Sequence, residues 1–150
     1  LVDGVPTSLA DLGWVNANVD DAWQDCDYDC SVHPKGKLCG KGVNGTYHDA
    51  DNWPLFNKTR YPDVRAMTAY GHKLGLRVGW YLNTCMCPEN SWPRDKVFDH
   101  YWGDVGAWHS YGFDNVKIDS CSEFKDIDLW KRLIDATGRG VSAPGGALVE

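Results

Sequence analysis

The sequence predicts an α/β protein, a (β/α)8 TIM barrel of which this chain supplies about half. Three observations carry that expectation. Short apolar runs alternate with helical patterns, the mark of parallel β/α units. Polar residues stand at the C-terminal end of each strand candidate: Asp20 and Asp21, Tyr81 and Asn83, Lys117 and Asp119, and Glu150 at the last. In a β/α barrel those ends converge on the face where chemistry is done. An open doubly wound sheet shares the alternation, but no G-x-G-x-x-G phosphate signature follows any strand here.

The elements follow in order. Thr7 or Ser8 caps Leu9-Ala10-Asp11-Leu12 and Gly13 stops it, which predicts the tail of a helix. Residues 14–20 are the first strand candidate. Residues 22–60 are rich in Gly, Asp, Asn, Lys and Cys and show no clean period. A loop that long is unusual in a compact domain unless it is functional or stapled. Three Cys and two acceptor sequons, Asn44-Gly45-Thr46 and Asn57-Lys58-Thr59, mark residues 24–60 as an insertion-like, ordered surface excursion. Pro62 opens a helix in which Val64, Met67, Ala69, Tyr70 and Leu74 follow helical spacing, and Gly75 ends it. Residues 76–82 form the next strand, and residues 83–93 a loop with two Cys. Residues 94–111 form a helix with Val97, Phe98, Tyr101, Val105 and Trp108 on one side, closed by Gly112. A strand over 113–119 and a helix over 126–136 follow, and residues 147–149 begin a last strand.

The totals set limits. One hundred and fifty residues, 43% apolar, suffice for one domain with a real core. A net charge of -6 argues against a nucleic-acid partner. No apolar run is long enough to span a membrane. The chain has neither a starting Met nor a signal-peptide pattern, so it reads as a mature product or a fragment. Six Cys fall in two clusters, Cys26, Cys30, Cys39 and Cys85, Cys87, Cys121. An even number of Cys together with sequons points to an oxidising, secretory compartment. No metal or cofactor is expected. Cys85-Met86-Cys87 lacks zinc-ligand spacing. The Asp25, Asp27, Asp29 run fails as a calcium loop, with Cys30 where Gly is needed and Gly36 where Glu is needed. The five His residues are scattered and form no spaced ligand pair.

The candidate chemistry centres on Phe113-Asp114-Asn115-Val116-Lys117-Ile118-Asp119-Ser120-Cys121. Lys117 and Asp119 are one period-two step apart on a strand and point the same way. A cation beside a carboxylate holds it ionised, as a nucleophile must be. Taken alone, the same pair reads first as a weak surface salt bridge. Asp20-Asp21 suits sugar hydroxyls, since a carboxylate accepts several hydrogen bonds, but it also suits a helix cap. Ser120 and Cys121 lack a nucleophile elbow. Trp23, Trp53, Trp80 and Trp92 fit a sugar cleft or a core alike.

Four stretches together resemble the catalytic barrel of the α-galactosidase / α-N-acetylgalactosaminidase family, glycoside hydrolase family 27. Val19-Asp20-Asp21-Ala22-Trp23 is similar to its D-D-C-W after the second strand. Tyr61-Pro62 and residues 66–81, ending Gly75-Leu76-Arg77-Val78-Gly79-Trp80-Tyr81, resemble its helix and G-L-K-x-G-x-Y strand. Residues 111–121 resemble W-G-V-D-x-L-K-x-D-x-C, and Ala136-Thr137-Gly138-Arg139 the T-G-R before the fifth strand. The resemblance implies that the chain covers roughly the second to fifth barrel strands. It implies a retaining hydrolase of terminal α-galactosides, with N-acetylgalactosamine specificity or a non-catalytic sugar-binding barrel as alternatives. Asp119 would be the nucleophile; Asp20, Asp21, Tyr81 and Lys117 would bind substrate. Cys121 would pair with Cys85 or Cys87. The family's acid/base Asp would lie beyond Glu150, so the 150 residues alone would be inactive. The resemblance also implies a secreted or lysosomal/vacuolar protein, and it leaves room for a homo-oligomer. Ala22 departs from the family by replacing its Cys.

Overall fold

The computed structural model describes residues 1–27, 40–82, 87, 94–119 and 126–137. Three strands, β1 (Asn16–Val19), β2 (Arg77–Leu82) and β3 (Asn115–Ile118), form a parallel sheet in the order β1-β2-β3. Helix α1 (Val64–Lys73) lies between β1 and β2 in the chain, α2 (Arg94–Tyr111) between β2 and β3, and α3 (Ile127–Ala136) after β3. The predicted alternation and its parallel strands are therefore present. The expected strand at 147–149, and with it the rest of a barrel, lies outside the described residues. Among the described residues no helix is long and apolar enough to cross a membrane.

The register divides the sheet into two chemically different faces. Val19, Trp80 and Val116 are in line across the strands, as are Asn18, Gly79 and Asn115. Side chains alternate along a strand, so Val78, Trp80, Leu82, Val116 and Ile118 share one face, and all five are buried. That face packs with Val64 of α1, Tyr101, Val105 and Trp108 of α2, and Trp130, Leu133 and Ile134 of α3 in one core. The other face carries Asn18, Gly79, Tyr81, Asn115 and Lys117. Gly79 leaves room there for two Asn side chains. A Cβ at that position would collide with the Oδ1 atoms of both Asn18 and Asn115.

The helices differ from expectation in which faces they bury. In α1 the buried residues are Val64, Thr68 and Gly71, with Met67 partly buried, while Tyr70 and Leu74 are exposed. Gly71 is chosen for proximity: a Cβ there would run into the Val78 side chain of β2. Thr68 reaches the sheet side through a hydrogen bond from its Oγ1 to the Tyr111 carbonyl. Small and hydroxyl residues therefore form the packing stripe that hydrophobic spacing assigned to Tyr70 and Leu74. Asp63, not Pro62, caps α1 by accepting from the Ala66 N–H at 2.9 Å. In α2, Phe98 is half-exposed, contrary to its place in the predicted apolar side, whereas His100 and Asp104 are buried. The N-terminal helix tail is only a 3-10 turn, Ala10–Leu12. Ser8 and Asp11 cap it reciprocally, and Gly13 leaves it at φ 89°.

Those buried polar residues of α2 answer to the excursion. Residues 40–60 are not a surface flap. Their Thr46, Tyr47, His48 and Phe56 are buried, and backbone bonds from Asp25 N to Leu55 O and from Asn57 N to Trp23 O tie them to the segment after β1. Asp104 lies against this subcore. It accepts from the Tyr47 hydroxyl at 3.2 Å and from His48 Nε2 at 2.9 Å, and both His48 and Asp104 are fully buried. A carboxylate only accepts, so Nε2 carries the His48 proton. His100 stacks on the His48 ring at 4.2 Å. The Trp residues are sorted in the same way. Trp23 and Trp80 are fully buried, which removes them as cleft lining, and Trp92 lies outside the described residues.

Removing one partner of a buried polar pair leaves the other desolvated without compensation. In the intact protein, Asp104→Ala should lower the unfolding free energy by about 3–5 kcal/mol. Urea denaturation would show the midpoint falling at unchanged slope. A loss below roughly 0.5 kcal/mol, the range of ordinary surface substitutions, would contradict this role for Asp104.

Candidate active site

The polar face of the sheet ends in a cluster. Asp20 and Asp21 follow β1, Tyr81 is the penultimate residue of β2, and Lys117 and Asp119 sit at the end of β3. The parallel register brings Tyr81 opposite Lys117. All five residues expected to carry the chemistry therefore meet at the C-terminal ends of three strands.

The contacts are specific. The Tyr81 hydroxyl donates to Asp119 Oδ2 at 2.7 Å. The Lys117 ammonium lies 4.8 Å from the centre of the Tyr81 ring and 3.4 Å from Asp20 Oδ2. Lys117 is thus drawn toward Asp20 and the ring face, and the ion pair is open to solvent. Such an exposed pair adds little stability. Its consequence is positional: it holds the ammonium over the Tyr81 ring. Tyr81 is itself buried. Its hydroxyl is pushed far above the ordinary tyrosine value, first by burial, then by the bond to Asp119 and the negative charges of Asp21, Asp119 and Asp20. It therefore remains a donor at every physiological pH. A donated hydrogen bond stabilises the charged form of its carboxylate partner.

The turn after β1 aims the two other carboxylates. Asp20 Oδ1 accepts from the Asp21 N–H, and Asp21 Oδ1 accepts from the Ala22 N–H, each at 2.8 Å. Ala22 has φ 71°, a left-handed conformation that costs a non-glycine residue roughly 1–2 kcal/mol. Two buried residues hold the turn in place. Gln24 Nε2 donates to Asp21 Oδ1 at 2.8 Å, and the Trp23 indole N–H donates to the Tyr81 carbonyl at 2.8 Å. Neither role was read from the sequence. Trp23 carried a signal, since an indole next to Asp20-Asp21 needs a partner for its N–H when buried. Gln24 carried none.

A disulfide narrows the open choice for Cys121. Cys26 and Cys87 form a disulfide across a sequence separation of 61, with Cα atoms 6.3 Å apart. Cys87 is therefore not the partner of Cys121. Of the two alternatives for Cys121 only Cys85 is left, and both of those residues lie outside the described ones. The bridge ties the segment four residues beyond Ala22 to the stretch that follows β2. Asn83 and Glu150 also lie outside the described residues. Among the described residues no group of three or more His, Cys, Asp or Glu is placed to hold a metal ion.

As chemistry, the cluster offers a carboxylate with a fixed donor (Asp119), an ammonium, and two more carboxylates on a rigid turn. Such a set binds a polyhydroxylated ligand, because carboxylates accept from hydroxyls and an ammonium donates to them.

No protein-family model matches the chain. Among curated proteins it is similar to a Dictyostelium discoideum protein named "Probable alpha-galactosidase", 28% identical over 141 residues that span 90% of this chain and 31% of that protein. It is also 28% identical over 124 residues to an α-galactosidase of Oryza sativa subsp. japonica, covering 79% of this chain and 24% of that one. The chain thus spans about a quarter to a third of the length of the curated relatives it matches. Among solved structures, α-galactosidase I from Mortierella vinacea superposes with a TM-score of 0.62 at 19% identity, over 88% of this chain and 30% of that one. A Bacillus halodurans C-125 protein provisionally named an α-N-acetylgalactosaminidase gives 0.60 at 18% identity, over 95% and 42%. At those identities the superpositions speak to the fold.

The position of Tyr81 makes a pH prediction. The unfolded chain releases the tyrosine proton near the ordinary value of 10.0, while the folded chain retains it. Above that pH the unfolded state binds fewer protons, so this group's contribution to stability is full below pH 10 and is lost as pH rises beyond it. Tyr81→Phe should therefore make the fall in unfolding free energy from pH 10 to about 11 shallower than in the parent. Equal slopes for the two proteins would contradict the raised value.

Proposed function

We propose that the chain, which is similar in sequence to α-galactosidases, is part of a retaining glycoside hydrolase of family 27. Its substrate would be a terminal α-linked galactose on an oligosaccharide or glycoconjugate. The observation that supports this reading best is the Tyr81–Asp119 hydrogen bond at the shared end of the sheet, beside Lys117 and Asp20. It gives Asp119 an oriented carboxylate and surrounds it with hydroxyl-binding groups.

In this reading Asp119 attacks C1 of the bound galactoside. The bond to the leaving oxygen breaks as the bond to the carboxylate forms, giving a β-galactosyl ester. Water then attacks the same carbon, releases galactose with its configuration retained and returns the carboxylate. Asp20, Asp21 and Lys117 hold the sugar hydroxyls; Tyr81 lines the floor and orients Asp119. A retaining enzyme needs a second carboxyl group about 5–5.5 Å from the first to protonate the leaving group. We place it in sequence beyond residue 150, so the chain is a partial barrel domain and is inactive by itself. The remaining barrel strands belong to that same part of the proposal. The Cys26–Cys87 disulfide supports a secretory, oxidising location, with secretion or a lysosomal or vacuolar destination as the outcome.

N-acetylgalactosamine is the second reading, the sugar in the name of the Bacillus halodurans protein whose fold the chain shares. The two differ at C2 of the sugar and share the nucleophile. The test uses the intact protein with aryl α-galactoside and aryl α-N-acetylgalactosaminide as paired substrates. Asp119→Asn should lower kcat for the better substrate by roughly 10³-fold or more, and the preferred substrate of the parent decides the sugar. Undiminished hydrolysis by Asp119→Asn would overturn the assignment, and a parent inert to both substrates would point to a non-catalytic sugar-binding barrel.

A further inference from the structure

A second cleft lies away from the strand ends. The turn at residues 51–53 meets α2 around a cavity of about 260 Å³ lined by Asp51, Asn52, Trp53, Asp99 and Trp102, with Gly103 and Gly106 as its floor. Its walls are fixed from within. Asp49 Oδ1 accepts from the N–H groups of Asp51 and Trp53, each at 2.9 Å, and Asn52 N donates to the Asp49 carbonyl. Gly103 lets the chain come this close, because a Cβ there would collide with the Asn52 carbonyl oxygen. The Trp53 ring sits over Gly106 and meets Tyr111 edge-on at 6.1 Å.

The open side is chemically mixed. Trp102 is 50% exposed, which is unusual for a side chain of that apolar area. Asp51 and Asp99 are exposed on the same rim. Helix α2 packs against both α1 and α3. The occupant is constrained by charge. Two carboxylates disfavour phosphates, carboxylates and nucleic acid. An indole face beside hydroxyl acceptors and an amide matches a pyranose, which has an apolar C–H face and a rim of hydroxyl groups. Asn52 offers a donor as well as an acceptor, which a hydroxyl uses and a cation does not. The cavity also has room for a ring rather than a single ammonium.

We propose that this cleft is a second saccharide site, which takes a neutral sugar ring stacked on Trp102 with its hydroxyls bonded to Asp51, Asp99 and Asn52. It stands on geometry separate from Asp119 and its neighbours. In a hydrolase of oligosaccharides it holds a remote part of the substrate or a neighbouring chain.

The test follows the Trp102 indole N–H in ¹H–¹⁵N spectra of the intact protein, its signal assigned by its loss in Trp102→Phe. The probe is a disaccharide of galactose α-linked to glucose, added to the Asp119→Asn form so that it is not consumed. The Trp102 signal should shift in a saturable way, and Trp102→Ala should weaken that second binding event about fivefold or more. Trp102→Ala should leave turnover of a small aryl galactoside unchanged. A Trp102 signal that stays fixed at saturating disaccharide overturns the proposal, as does an equal shift with tetramethylammonium, which would mark a cation site. Disaccharide signals at the strand ends without any at Trp102 refute the second site alone. A Trp102 response in a protein that hydrolyses nothing refutes the catalytic reading alone.

Discussion

The hydrogen bond from the Trp23 indole to the Tyr81 carbonyl is the constraint on which the rest is built. A fully buried indole N–H must find an acceptor, and here the acceptor is the backbone of the strand that carries the central site residue. The same indole packs against Tyr47, Phe56 and Trp80. One side chain thus joins the carboxylate turn after β1, the excursion and β2. The Cys26–Cys87 bridge reinforces that junction, and closing a loop of 61 residues is worth about 4 kcal/mol in the chain-entropy picture. The strained left-handed Ala22 is tolerated because Trp23 and Gln24 fix the chain immediately after it.

The two faces of the sheet explain how stability and chemistry are kept apart. Val78, Trp80, Leu82, Val116 and Ile118 bury against the helices and supply the apolar area that holds the fold. The alternate positions are polar or absent: Asn18, Gly79 and Asn115 across the middle, then Asp20, Tyr81, Lys117 and Asp119 at the end. Asp20, Lys117 and Asp119 at the end, none of them buried, can therefore change without opening the core. Tyr81 is the exception, since it is buried and touches both jobs through its backbone and its hydroxyl.

What was legible in the sequence follows from the range of the interactions involved. Helix α2 has the predicted bounds, 94–111, because Pro93 precedes it and Gly112, at φ 79°, ends it, and both are local signals. The convergence of Asp20, Asp21, Tyr81, Lys117 and Asp119 at the strand ends was legible because period two and a strand's C-terminal end are local properties as well. The buried face of α1 was not, since Thr68 and Gly71 are selected by Tyr111 and Val78, which lie far along the chain. The excursion had no period to read. Its described residues are held by Asp104, 56 residues beyond His48, and by a disulfide whose pairing spacing alone left open.

In the proposed mechanism Asp119, oriented by the Tyr81 hydroxyl, forms a bond to the sugar while Lys117 holds a sugar hydroxyl. The most direct measurement incubates the intact protein with an activated, slowly hydrolysed fluorogalactoside and maps the labelled peptide by mass spectrometry. The account predicts a single glycosyl adduct, on the peptide containing residues 113–119, esterified to Asp119. A protein that turns over the galactoside and carries its adduct on another carboxylate, or carries none, would contradict it.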